Sequence, residues 1–191
     1  SFYRFQLLKI IKKAFRLGSL QKDKGGVYLN NGVNVQRLLV NFKTLEEFKK
    51  FKEYGIQELS MHEELEANII ENDSESPFYG IFYGDKLIAR MSLYKRTAEM
   101  DQYFTPAQEY LVIWKLEVLP PYQNSGYGTQ LVNFAKSFHL PIKTNPRIQS
   151  HDFWKKQGFE SVPYDMDRDL GENPLVWKPN SSDEQNVKIN Q

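Results

Sequence analysis

The stretch from Leu111 to Ala135 limits what this chain can fold into more than any other. An apolar run ends at Leu119, and Pro120 and Pro121 break it; proline lacks the amide that a strand ladder needs. The loop Gln123-Asn124-Ser125-Gly126-Tyr127-Gly128 comes next, and Leu131, Phe134, Ala135 and Phe138 then recur at helical spacing. The order predicts a strand over 111–119, a loop over 120–125 and a helix over about 126–138. Such a succession suits an anion. The first amides of a helix have no internal partner, the dipole adds partial positive charge there, and glycines let a phosphate come close. A lone Gly-x-Gly is also a common tight turn, so the rest of the chain must decide.

With 191 residues the chain can form one domain with a sizeable core plus tails. A formal net charge of +1 gives no argument for a nucleic-acid partner, and none is expected. The absence of cysteine excludes a disulfide framework, a thiolate nucleophile and Cys-ligated zinc. His62, His139 and His151 are scattered, away from metal-ligand spacing, so no metal is expected. No apolar run is long enough to span a bilayer. The expected location is the cytoplasm.

Residues 1–34 form a basic extension and linker. On a helical wheel Leu7, Ile10, Ile11, Ala14 and Leu17 share one face, with Lys9, Lys12, Lys13 and Arg16 on the other. Three readings stand open: docking on the domain, contact of residues 1–20 with an anionic membrane surface, or an organelle address. The compact domain is expected over 35–179, and a polar, disordered tail over 180–191. Val35 to Phe42 alternates and predicts the first strand. Thr44 with Glu47, and Ser60 with Glu63, read as capping boxes of two helices. Two apolar runs, 78–83 and 86–94, flank Gly84-Asp85 and predict a two-residue hairpin. Residues 95–110 read as a loop, and 140–144 as a short strand. Ser150 is placed to cap a helix ending near Gln157, with Gly158 left-handed behind it. Strands near 159–163 and 175–177 complete the pattern. This is a mixed α/β sheet in one domain. A dinucleotide fold needs its glycine fingerprint early and with a third glycine; a phosphate loop of the Walker type needs Gly-Lys-Ser/Thr. Both are missing.

Two motifs together resemble a known family. Val118-Leu119-Pro120-Pro121-Tyr122-Gln123-Asn124-Ser125-Gly126-Tyr127-Gly128 is similar to the Val-x-Pro … Gln/Arg-x-x-Gly-x-Gly/Ala signature of the GNAT N-acetyltransferases. Phe153-Trp154-Lys155-Lys156-Gln157-Gly158-Phe159 resembles their second helix–turn signature, usually Tyr-x-x-x-Gly-Phe. The resemblance covers about 35–178 and extends to the bacterial YlbP-type members. It implies the GNAT acyl-CoA N-acyltransferase fold, a central mixed, mostly antiparallel sheet flanked by helices. It implies acetyl-CoA as donor and an amine as acceptor, with no metal, in either a monomer or a homodimer.

By the same resemblance, the loop Gln123, Asn124, Ser125, Gly126, Tyr127, Gly128 and Thr129 binds the pyrophosphate through backbone amides. The backbone of Leu116 and Val118 meets the pantetheine and polarises the thioester carbonyl. Some members carry a glutamate or histidine base at positions that are Val112 and Trp114 here. Glu117 is the nearest candidate base; its other reading is a solvent-facing strand residue. The tyrosine that many members use as general acid is Trp154 here, which leaves pantetheine contact or core packing as its role. Lys136, Lys143, Arg147, Lys155 and Lys156 are expected on the cofactor side, mostly as surface charges. A non-catalytic CoA-binding module is the competing functional reading. Acidic residues in the loops (Glu63, Glu64, Asp101, Glu109, Asp165, Asp167) favour a cationic amine.

Overall fold

In a computed structural model the residues described are 28–30, 33–51, 61–71 and 75–179. The amphipathic extension, Gly55, Ser60 and the tail from Asn180 lie outside them. The described residues divide into two compact units, 28–93 with Ile113–Ala135 and Tyr94–Val112 with 136–179.

In the first unit the hairpin forms where the sequence predicts it. Strands β3 (Phe78–Tyr83) and β4 (Lys86–Arg96) pair antiparallel, with Tyr83 opposite Lys86. Gly84 adopts φ +58, the left-handed geometry that two-residue turns require. The register passes from Ile81↔Ala89 to Phe82↔Leu87, so Ile88 is one extra residue in β4. An extra residue reverses the facing of those beyond it. Leu87 and Arg90, three apart, therefore meet the same apolar cluster.

Upstream, β1 (Tyr28–Asn30) pairs with β2 (Val33–Arg37), and β2 with β3, all antiparallel. The first predicted strand, 35–42, is therefore displaced. β2 starts two residues earlier and stops at Arg37. Helix α1 (Phe42–Phe48) starts at Phe42 because Asn41 caps it, its side chain accepting from the Thr44 amide at 2.9 Å. Asn outranks Thr at that position, and the predicted Thr44–Glu47 box does not form. Glu47 instead accepts from the Leu87 amide at 3.2 Å. Helix α2 (Met61–Ile70) begins one residue after Ser60 and buries Met61 and Leu65. Both helices pack on the face of the sheet that carries Phe78. Helix α3 (Tyr127–Lys136) buries Leu131, Val132 and Ala135, and its Phe134 ring lies 4.9 Å from Tyr79. Neighbouring strand residues point to opposite faces, so α3 covers the other side. The strand order in this unit is β1-β2-β3-β4 and then the C-terminal half of β5 (Tyr110–Val118).

In the second unit the N-terminal half of β5 is followed by β6 (Ile142–Thr144), β8 (Leu175–Trp177) and β7 (Glu160–Ser161). β8 pairs antiparallel with both its neighbours. Helix α4 (His151–Lys156) ends as predicted. Gly158 stands at φ +78, its amide bonds the Lys155 carbonyl at 2.9 Å, and the Phe159 amide reaches back to Trp154 at 3.1 Å. These are the two bonds of a Schellman turn. Its start differs from the expectation: the Ser150 hydroxyl donates to the Arg147 carbonyl at 2.9 Å and does not cap the helix. A four-residue helix α5 (Met166–Asp169) lies between β7 and β8.

Gly80 stands opposite Arg90, and a side chain there has no room. A Cβ would lie 2.5 Å from Leu87 Cδ1 and 3.0 Å from the Ala89 carbonyl oxygen. Gly80→Ala should therefore destabilise the protein by about 1–3 kcal/mol through overpacking. A urea titration should show a lower midpoint at an unchanged slope.

Candidate active site

The predicted strand–turn–helix stretch forms within the first unit. β5 ends at Val118, one residue before the expected boundary, and Leu119, 6% exposed, closes the core. The Leu119 amide donates to the Ile88 carbonyl at 2.9 Å, at the extra residue of β4. Pro120 and Pro121 then start a single 3-10 turn over Pro120–Tyr122. Pro suits the start of a helical turn, where an amide would have no partner. Gln123 folds back, its side-chain amide donating to the Val118 carbonyl at 3.0 Å. Asn124 and Gly126 both take positive φ, 60 and 84. Asn and Gly are the residues that tolerate this region.

Gly126 is the cap of α3: its carbonyl accepts the Gln130 amide at 3.0 Å. A glycine cap offers no side chain to the amides of the first turn, which carry the positive end of the helix dipole. A Cβ built on Gly126 meets nothing within 4 Å, so open space lies before the turn. Residues 123–126 are exposed and 127–129 half-buried. Backbone donors, a glycine cap and open space suit a diphosphate. The Tyr122 ring lies 5.9 Å from Tyr83 and 6.3 Å from Tyr127, which ties the turn to the β3–β4 hairpin.

Glu117 has a partner that sequence reasoning missed. Its Oε2 accepts from Arg90 Nε at 2.9 Å and Nη2 at 2.6 Å. The Arg90 side chain is wholly buried and that of Glu117 is 26% exposed. Trp154 belongs to the second unit. It is 5% exposed, with its ring 5.2 Å from Phe153 and 5.0 Å from Phe159. Both ring neighbours are aromatic side chains of the same unit. Lys136 is engaged at the end of α4: it donates to the Gln157 carbonyl and lies 4.8 Å over the Trp177 ring. Burial pushes its amine down, as it does that of Lys143, which lies 4.6 Å over Tyr103. Arg147, Lys155 and Lys156 are exposed.

Several loop acids of the second unit are engaged in local bonds. Asp101 accepts from the amides of Tyr103, Phe104 and Gln108 at 2.8, 3.1 and 3.0 Å. Glu109 pairs with Lys95 at 2.7 Å. Asp165 caps α5, and the buried Asp169 takes Arg168 at 2.8 and 2.7 Å. A cavity of about 130 Å³ lies among His151, Ser161, Tyr164, Asp169 and Asn173. His151 Nε2 is buried there with no hydrogen-bond partner among the described residues. Among those residues no three His, Asp or Glu stand together as a metal site, and no helix is long and apolar enough to cross a membrane.

The family model described as Acetyltransferase (GNAT) family matches residues 42–159, from the start of α1 to the Gly-Phe turn. The chain belongs to the GNAT acetyltransferase family. It is 65% identical over 156 residues to an uncharacterised N-acetyltransferase of Oceanobacillus iheyensis, covering 82% of this chain and 98% of that one. It is 68% identical over 145 residues to the N-acetyltransferase YlbP of Bacillus subtilis, covering 76% and 91%. The crystal structure of YlbP in complex with coenzyme A superimposes with a TM-score of 0.66, over 76% of this chain and 95% of that one. The PaiA N-acetyltransferase of Thermoplasma acidophilum, solved with coenzyme A, shares the fold at 16% identity, with a TM-score of 0.52 over 76% and 98%. The GNAT fold expected from the paired motifs is therefore the fold observed, a mixed sheet flanked by helices, and the chain is an acyltransferase by family.

The acids fix a pH dependence. Hydrogen bonds from Arg168 hold the Asp169 carboxyl down, from 3.8 to about 2, against burial, which pushes it up. A carboxyl lowered in the folded state stabilises fully above its unfolded value and loses that contribution as pH falls through the folded one. Thermal midpoints should therefore drop between about pH 4 and pH 2. Asp169→Asn should flatten that part of the curve and lower stability at pH 7, because it strands Arg168.

Proposed function

We propose that the protein transfers an acetyl group from acetyl-CoA to a primary amine by direct attack within a ternary complex. The observation that carries this reading is the Gly126-capped start of α3, open to solvent at the end of β5. YlbP, at 68% identity, was crystallised with coenzyme A. The amides of Gln123 to Thr129 hold the diphosphate. The backbone of Leu116 and Val118 lies along the pantetheine, and a donor there stabilises the developing oxyanion by about 3–4 kcal/mol.

The amine nitrogen attacks the thioester carbonyl carbon. The new C–N bond forms, the C–S bond breaks, CoA leaves as the thiolate, and the amine gives its extra proton to solvent. A lysine-like amine of pKa near 10.4 costs about 4.6 kcal/mol to deprotonate at pH 7. A dedicated base recovers about 10²–10⁴-fold in rate, whereas holding amine and thioester together supplies about 7–11 kcal/mol. Positioning thus dominates, which suits a chain with Val112, Trp114 and Trp154 where some members of the family carry a base or acid.

Calorimetry of the full chain with coenzyme A tests the reading. Gly128→Val puts a branched side chain on the second residue of α3. It should weaken binding at least about tenfold, an extra 1.4 kcal/mol in Kd terms, with the thermal midpoint unchanged or raised by the better helix former. A thiol-release assay over amine and peptide panels should then find acetyl transfer. Binding without transfer to any amine would make the protein a CoA-binding module. Failure of the wild type to bind coenzyme A would refute the proposal.

A further inference from the structure

We infer that Arg90 and Glu117 work as one positioning pair that holds the acyl-carrier edge of β5, and that Glu117 is not the base. The inference rests on the proposed function and goes beyond it. Arg90 lies in the middle of β4 with no exposed surface. Its guanidinium carbon stands 4.7 Å over the Phe48 ring and 4.3 Å over the Phe51 ring. Nη1 donates to the Phe48 carbonyl at 3.1 Å, and Nε and Nη2 both reach Glu117 Oε2. A guanidinium stays protonated at all working pH values. Withdrawn from water, it needs an anion beside it. The Glu117 carboxylate stands beside it, its Oε2 taken by two guanidinium donors, which fits a counter-ion and not a base turned to substrate.

The pairing has a mechanical consequence. Glu117 is tied to β4 through its side chain, and Leu119 is tied to β4 through its amide on Ile88. The two ties bracket Val118. Backbone groups alternate between the edges of an extended strand. With the Leu119 amide directed at β4, the amides of Val118 and Leu116 are directed at the opposite edge. Those are the groups assigned to the pantetheine and the thioester carbonyl. Arg90 reaches them only through the strand, so it and Glu117 are positioning residues.

The test uses calorimetry on the full chain with two probes: acetyl-CoA, and 3′-phosphoadenosine 5′-diphosphate, which is CoA without its pantetheine arm. Glu117→Gln and Arg90→Gln should each weaken acetyl-CoA by about tenfold, or 1.4 kcal/mol, and move the truncated probe less than about twofold. The Arg90→Gln/Glu117→Gln double variant should lose less than the two single losses multiplied, because both act through the same contact. If a single variant loses its folded circular-dichroism spectrum, the double variant against wild type carries the same two-probe comparison. Unchanged acetyl-CoA affinity in folded Glu117→Gln overturns the inference, as does equal weakening of both probes or a double loss equal to the product. A wild type that binds neither probe overturns the proposed function itself.

Discussion

Arg90 carries a full positive charge into an interior built of Phe48, Phe51, Leu87 and Leu119, and much of the first unit is arranged around that fact. Leaving such a charge without its partner costs about 3–5 kcal/mol, a large fraction of a domain's net stability. Three elements are bound by it at once. The end of α1 supplies a carbonyl and a ring, β4 supplies the residue, and β5 supplies the carboxylate. The extra residue at Ile88 is what turns Arg90 to the side where those partners stand. Gly80, opposite Arg90, leaves the space that Leu87 fills. A side chain at Gly80, a regular ladder at Ile88, or an apolar residue at 117 would each break a different link of the same chain of contacts.

The candidate site inherits its rigidity from that arrangement. Leu119 belongs both to the core and to the strand end, and its amide closes on the extra residue of β4. From there to Gly126 the chain leaves the core, and local bonds hold it. The 3-10 turn begins with two prolines, Gln123 bonds back to Val118, and two residues sit at positive φ. A loop held at its root by packed strands and at its end by a helix can present backbone amides with little loss of ordering entropy on binding.

What was legible in the sequence was what neighbours in sequence decide. Gly84-Asp85 fixed the hairpin, Gly158 the end of α4, and the prolines and glycines after Leu119 the loop and helix start, each to within a residue or two. Where two local signals competed the reading slipped. Asn41 and Thr44 are both good caps, and the spacing alone favoured Thr44 with Glu47; the Leu87 amide, 40 residues away, claims Glu47. The partner of Glu117 was missed for the same reason, since Arg90 is 27 residues distant. A signal was present, however. Lys86 to Tyr94 is apolar without alternation, as in a strand buried on both faces, and an arginine inside such a run is almost never buried unpaired. Glu117 stands in the next central strand, where the anion had to be sought.

The acidic loops teach the opposite lesson about composition. Asp101 and Asp165 look in the sequence like a negative surface, and Asp169 lies close to the second of them. In the fold Asp101 gathers three amides of its own loop, Asp165 caps α5, and Asp169 binds Arg168 and the Asp165 amide. Arg168 in turn reaches the carbonyls of Gln102 and Pro163, so one stretch braces the other. A carboxylate that accepts several amides takes the place of the ladder hydrogen bonds that a loop lacks. Met166 on α5 and Leu170 at its end are left exposed, so this stretch is held by these hydrogen bonds rather than by burial of its apolar side chains.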